Sequence, residues 1–229
     1  MTSKRQLLLC LSLWVISTTG LVPSAAAAED ISDQQELVQR AQSTFERFLT
    51  EPGIAAWYVS ESPNVKAVFI VPRLWRGAFL VGASGGGGVL LARDFVNGGW
   101  SPPAFYRMTS GSVGLQVGAD ASEVVLAIKT FSGLERFYGM GTVKLGLDGG
   151  LSLGPYGEDL SASLDVVSFG ATKGAYIGLS LDGFAITANS GDNERYYGKP
   201  VKPEDILANK DVLNAGANGL RGALDRFIH

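Results

Sequence analysis

The chain has 229 residues, 46% of them hydrophobic and 18% charged, with a formal charge of −3. That balance excludes a disordered chain, and the mild acidity excludes a global pull toward nucleic acid, so an anionic partner must meet a local basic patch. The length suits one domain with a sizeable core.

Residues 1–28 read as an export leader. Lys4 and Arg5 form a positive start, 7–16 an apolar stretch too short for a comfortable membrane span, and Ala26-Ala27-Ala28 a small-residue cleavage site before Glu29. Cys10, the single cysteine, falls in this leader with no small-residue lipobox before it. The mature chain therefore has no disulfide and no thiol chemistry. Residues 29–229 then form one domain of an exported protein.

In chain order, 33–50 predict an amphipathic helix, with Leu37, Val38, Ala41, Phe45, Phe48 and Leu49 recurring at helical spacing and Pro52-Gly53 ending it. From Val65 the period becomes strand-like. Short runs are predicted at 65–71, 78–81, 89–93, 104–108, 113–117, 123–129, 142–147, 151–153, 165–171, 175–181 and 184–188, with a helical turn at 134–138. The glycine-rich run 82–88 predicts a hairpin turn, and glycines within strands predict bending, bulges or close backbone packing. Helix returns at Pro203-Glu204-Asp205 and again over Leu213, Leu220, Leu224 and Phe227. The fold class is α+β: a curved, largely antiparallel sheet, sandwich- or barrel-like, flanked by N- and C-terminal helices.

The chemistry follows by trial of each motif. Gly82-Ala83-Ser84-Gly85-Gly86 matches the G-x-S-x-G pattern, but that motif needs a strand-to-helix turn and a positioned histidine, and the one histidine is the terminal His229. No P-loop Lys-Ser/Thr follows the glycines, and no dinucleotide fingerprint is completed. One His and one leader Cys remove the usual zinc and copper sets; Asn189–Glu194 carries oxygen ligands without EF-hand spacing and reads as a solvated turn. Glu158, Asp159 and Asp182 stand by turns with nothing to show that they converge. The reading is no enzyme, no metal and no cofactor. The basic residues are more informative: Arg73 and Arg76 flank Trp75, Arg93 closes a strand, and Lys173 lies at a turn. Guanidinium or ammonium groups beside an exposed aromatic can hold phosphate headgroups while the ring enters the interface; a buried Trp75 amid ordinary surface charge is the alternative. The N-terminal helix can likewise dock on the sheet or lie on a membrane, and mixed acids and bases on its polar face favour docking.

The segments PRLWRGAFLVGASGGGGVLLARD, GGWSPPAFYRMTSGSVGLQVGADASEVVL, KLGLDGGLSLGPYG, TKGAYIGLSLDGFAI and NERYYG resemble, in order, the SYLF or Ysc84-type domain. The resemblance covers about residues 36–207, and its W-S-x-P-A-F-Y and G-S-x-G-L-Q-x-G segments resemble the bacterial branch. It implies a lipid-binding module; eukaryotic members are associated with phosphoinositide-rich membranes and with actin, through an amphipathic N-terminal segment and a basic surface. By the resemblance Arg76 is the basic position before G-x-F, Arg93 ends the V-L-L-A-R strand and Lys173 is the lysine of the S/T-K-G turn, with Arg73 and Trp75 beside them. The expected function is non-catalytic binding of membrane phospholipids, with anionic headgroups met by this patch and apolar surface by the N-terminal helix. Actin is not an expected partner of an exported protein. The alternative is an envelope structural or protein-interaction module.

Overall fold

The computed structural model describes residues 25–79, 81–112, 120–145, 151–153, 166–172, 175–177 and 183–227. Its centre is a long β-hairpin, β1 (Ala67–Phe79) and β2 (Val81–Ala92), continued by β3 (Ala104–Ser112) on one side and β4 (Asp120–Ile128) on the other. The short strands β5 (Thr142–Lys144), β6 (Leu151–Leu153), β7 (Val166–Thr172), β8 (Ala175–Ile177) and β9 (Phe184–Ala188) complete one sheet in the order β5-β9-β3-β2-β1-β4-β7-β6, with β8 also paired to β7. Among the described residues the sheet is open, and every pairing is antiparallel except β6 with β7. The α+β class and the largely antiparallel sheet are as the sequence predicts.

Both faces of the sheet are covered, which is why its central strands are continuous apolar runs rather than half-polar alternations. Val68, Ile70, Val89, Leu91, Val125 and Ala127 pack in one cluster under four helices, α1 (Ala25–Phe48), α2 (Pro52–Glu61), α4 (Ser190–Tyr197) and α6 (Asn218–Phe227). Their strand neighbours Phe69, Val71, Leu90, Val124 and Leu126 pack in a second cluster with α3 (Phe131–Glu135), α5 (Pro203–Leu207), Tyr106, Met108 and Ile186. Each fully buried side chain of this size contributes about 1.5–3 kcal/mol by burial.

Helix α1 begins at Ala25, ahead of the expected start, and takes in Ala26–Ala28. Val38, Ala41, Phe45, Phe48 and Leu49 are buried in the core, so from residue 38 onward the apolar face of this helix docks on the sheet. The expectation that it supplies apolar contact to a membrane is corrected on that point: a surface already packed against the Val68 and Ile70 face of the sheet is not free for lipid. Its polar side is tied down as well, since Arg226 Nη2 donates to Glu46 Oε1 (3.0 Å) and Gln34 Nε2 to Asp192 Oδ1 (2.8 Å).

Three further expectations are corrected. The glycine-rich run 82–88 forms the body of β2 rather than a turn, and β1 continues from Ala67 to Phe79 across the gap expected between 71 and 78, while Val81 opens β2. Asn189 is an N-cap whose side chain accepts from the Asp192 amide, so 190–194 open α4 instead of forming a solvated loop. Leu213 precedes α6 and is exposed; Leu220, Ala223 and Leu224 line that helix's buried face. Helix α2 has no counterpart in the sequence reading.

The glycine-rich strand answers a bulge in β1. From Ile70 to Trp75 β1 takes five steps while β2, from Val89 to Gly85, takes four, and the slip recurs against β4 between Val71 and Leu74. Pro72, which has no N–H for a ladder, sits in this extra length. A Cβ at Gly86 would lie 2.3 Å from the Arg73 carbonyl oxygen, and one at Gly88 would lie 2.6 Å from that of Ile70. Only glycine lets β2 approach the bulge this closely.

Candidate functional surface

The bulge decides where the central aromatic goes. Before it, odd-numbered residues of β1 (Phe69, Val71) face the second cluster; after it, the even-numbered Leu74 does. The one-residue slip therefore turns Arg73 and Trp75 to the α1 side of the sheet, at a row the helix does not cover. Trp75 is 54% exposed, and the Arg73 guanidinium lies over its ring at 5.2 Å. Such a pair leaves the ring edge and the remaining guanidinium N–H groups open to a ligand.

Beside it runs a cleft of about 450 Å³ between α1 and the bulge, lined among others by Arg40, Thr44, Arg47, Pro72, Arg73 and Glu123. Its charges are mostly spent on one another. Arg40 pairs with Glu36 one helical turn away (2.5 Å), and Arg47 pairs with Glu123, whose Oε1 also accepts from Thr44 Oγ1 at 3.1 Å. Tyr176 donates to the Arg47 carbonyl (3.0 Å) and Ser122 bonds Thr172 through their hydroxyls (2.8 Å), fixing α1, β4, β7 and β8 around this end. Three guanidiniums face two carboxylates here, and the surplus charge is that of Arg73.

The five residues singled out by sequence do not form one patch. Arg73 and Trp75 stand together. Arg76 follows on β1, opposite Ser84 and Asp120, with its side chain outside the described set. Lys173 lies outside the described residues; Thr172 before it and Ala175 after it pair with each other, and Thr172 is joined through Ser122 to the row of Leu74. Arg93 is elsewhere. It follows β2's last residue, which pairs with Ala67, so about 30 Å of strand separates it from Trp75 at about 3.3 Å per residue. Its Nη1 donates to the Ser62 carbonyl at 2.6 Å, and its guanidinium lies 5.1 Å from the Phe95 ring.

Around Arg93 the structure assembles residues that the sequence reading passed over. Lys66 Nζ sits 4.3 Å from the centre of the Phe95 ring and 5.0 Å from that of Phe131, and the two rings meet edge to face at 5.5 Å. Burial and the neighbouring charge of Arg93 hold the Lys66 ammonium below the usual lysine range. Asp94 organises the adjoining loop: it accepts from the Val96 and Asn97 amides at 3.0 Å and from Asn97 Nδ2 at 3.1 Å, and pairs with Lys210. The Lys210 ammonium foremost, then these hydrogen bonds, holds the Asp94 carboxyl well below the usual carboxylate range. The signal was present in Phe95-Val96-Asn97-Gly98-Gly99, a turn sequence that opens with two apolar residues instead of polar ones.

The catalytic motif tested above has a definite place. Ser84 stands mid-strand in β2, between Arg76 on β1 and Ser110 on β3, and not on a strand-to-helix turn. His229, Glu158, Asp159 and Asp182 lie outside the described residues. Among the described residues no group of three or more His, Cys, Asp or Glu is placed to hold a metal ion, and no helix is long and apolar enough to cross a membrane.

Residues 109–227 match the family model Ysc84, described as "Las17-binding protein actin regulator". Among similar proteins, the SH3 domain-containing YSC84-like protein 1 of Homo sapiens is 28% identical over 158 residues, which cover 66% of this chain and 46% of that protein. From Saccharomyces cerevisiae, LAS seventeen-binding protein 3 is 28% identical over 155 residues (64% of this chain, 33% of that protein), and Protein YSC84 is 27% identical over 170 residues (71% and 36%). The chain thus spans half or less of the length of the curated relatives it matches. With the family model covering more than half of its length, the chain belongs to the Ysc84 (SYLF) family.

Proposed function

We propose that this chain is a non-catalytic phospholipid-binding module that meets anionic headgroups at the bulge surface of Arg73 and Trp75, and that it works in a bacterial cell envelope after export by its leader. The observation that carries the reading is the half-exposed Trp75 with the Arg73 guanidinium stacked on it, turned outward by the bulge. A tryptophan is stable at a headgroup interface, and a guanidinium beside it takes a phosphate through charge-assisted bonds. Arg76 follows on the same strand, opposite Asp120, and is part of the proposed contact together with Lys173. Co-sedimentation with vesicles tests this. Vesicles rich in anionic phospholipid should pellet the native chain in a salt-sensitive way, and Arg73→Glu with Trp75→Ala should weaken that binding at least about tenfold, the loss of one interfacial aromatic and one cation. Equal binding of the double variant would overturn the site.

A second reading, a protein-binding module, is favoured by the relatives: one is named for binding LAS seventeen, and the family is described as an actin regulator. Those names describe whole proteins two to three times longer than the shared region. Vesicle binding that is absent at low salt would favour this second reading.

A further inference from the structure

We infer that the loop after β2 is a second membrane contact: Phe95 and Val96, with Phe131 beside them, enter the interface of an anionic phospholipid bilayer while Lys66 and Arg93 meet its phosphates. The inference rests on the phospholipid reading but uses a different surface, at the opposite end of β1.

Exposure is the first support. Phe95, Val96 and Phe131 are 46%, 90% and 55% exposed, and they adjoin one another where loop tips are ordinarily polar. The second is rigidity. Asp94 caps the turn with three hydrogen bonds and is clamped by Lys210, while Gly98 and Gly99 take φ of +80° and +79°, which closes the loop behind Val96. The apolar tip is held in place before any ligand arrives, so little ordering entropy opposes its insertion.

Charge complementarity selects the partner. Lys66 and Arg93 repel each other. Of the acids nearby, Glu61 pairs with Lys129 at 2.8 Å and Asp94 with Lys210, which leaves Asp225, at the far side of the cleft that Arg93 and Phe95 line, as one carboxylate against two cations. Among the described residues Lys66 is held only by the two rings and the Pro63 carbonyl (3.3 Å), and Arg93 by the Ser62 carbonyl and Phe95. An anion at this point relieves the repulsion. The protruding form of the tip suits a fluid interface, which needs no shaped counterpart, better than a protein pocket.

The test places a spin label at residue 96 through Val96→Cys, in the full chain with Cys10→Ser, on vesicles of phosphatidylserine and phosphatidylcholine. On binding, the label should become accessible to oxygen and shielded from a water-soluble nickel chelate. Phe95→Ser with Val96→Ser should lower vesicle partitioning about ten- to hundredfold, the size expected for two exposed apolar side chains that lose their burial. A label that stays in water while the protein pellets with vesicles overturns the inference and leaves the Arg73–Trp75 reading standing; it would also point to a protein as occupant of the loop. A shielded label together with full binding by the Arg73→Glu, Trp75→Ala variant would do the reverse. No pelleting with any vesicle overturns both.

Discussion

At the scale of single residues, the glycines of β2 have unequal jobs. Gly86 and Gly88 face backbone oxygens of β1 at distances no Cβ tolerates, whereas a Cβ at Gly87 would meet only Leu37 Cδ2 at 3.4 Å. Gly86→Ala and Gly88→Ala should therefore each destabilise by about 1–3 kcal/mol in denaturant unfolding, the usual cost of overpacking, while Gly87→Ala should cost far less. Three equal losses would contradict the close approach. Asp94 gives a pH signature. Its folded-state pKa is depressed below the unfolded value, so its contribution is fully present above about pH 4 and is lost as the pH falls below that. Asp94→Asn should cost about 1.5–3 kcal/mol at neutral pH, the scale of hydrogen bonds to a charged group, and the gap to the native chain should narrow in acid. A constant gap down to strongly acid pH would exclude the ion pair with Lys210 as its origin. The exposure of Trp75 was not legible in the sequence. Residue type favours burial, and the outcome turned on a parity change at Pro72 that local pattern does not encode.

Elements were read well where periodicity was strong and missed where it was absent. The helix at 33–50 carries apolar residues on one stripe and was plain. Helix α2 is apolar on nearly every side (Ile54, Ala55, Ala56, Trp57, Tyr58, Val59), so its period gives no signal even though Pro52 is a good first helical residue. The glycine run looked like a turn because propensity alone disfavours glycine in strands; the need to pass close to a bulge outweighed it. The docking of α1 carries its own prediction. Amides of residues 38–48 should exchange with solvent as slowly as those of β1 and β4, both free and on vesicles, because Phe45 and Phe48 are fully buried. Loss of that protection on vesicles alone would mean that the helix leaves the sheet to bind.

For the whole molecule, the family was legible from motif order, and the structure explains why those motifs identify it: the Gly-rich strand, the Pro72 bulge and the buried Trp100-Ser101 corner, where Ser101 Oγ accepts from the Ala92 amide at 2.9 Å, are parts of one scaffold. The site was legible only in pieces. Sequence adjacency marks Arg73, Trp75 and Arg76 as neighbours, but nothing local tells that Arg93 stands at the far end of β1 with Lys66, Phe95 and Phe131. Such grouping is a product of strand register, and register depends on long-range packing.

The central claim, lipid contact at Trp75, has a direct optical test. Trp57 and Trp100 are buried at 8% and 2% exposure, so among the described tryptophans only Trp75 can respond to a surface ligand. Emission recorded in a Trp14→Phe background as anionic vesicles are added should shift to the blue and be quenched by brominated lipid chains, with salt reversing the change and Trp75→Phe removing it. An emission spectrum indifferent to vesicles, or a shift that survives Trp75→Phe, would contradict the account.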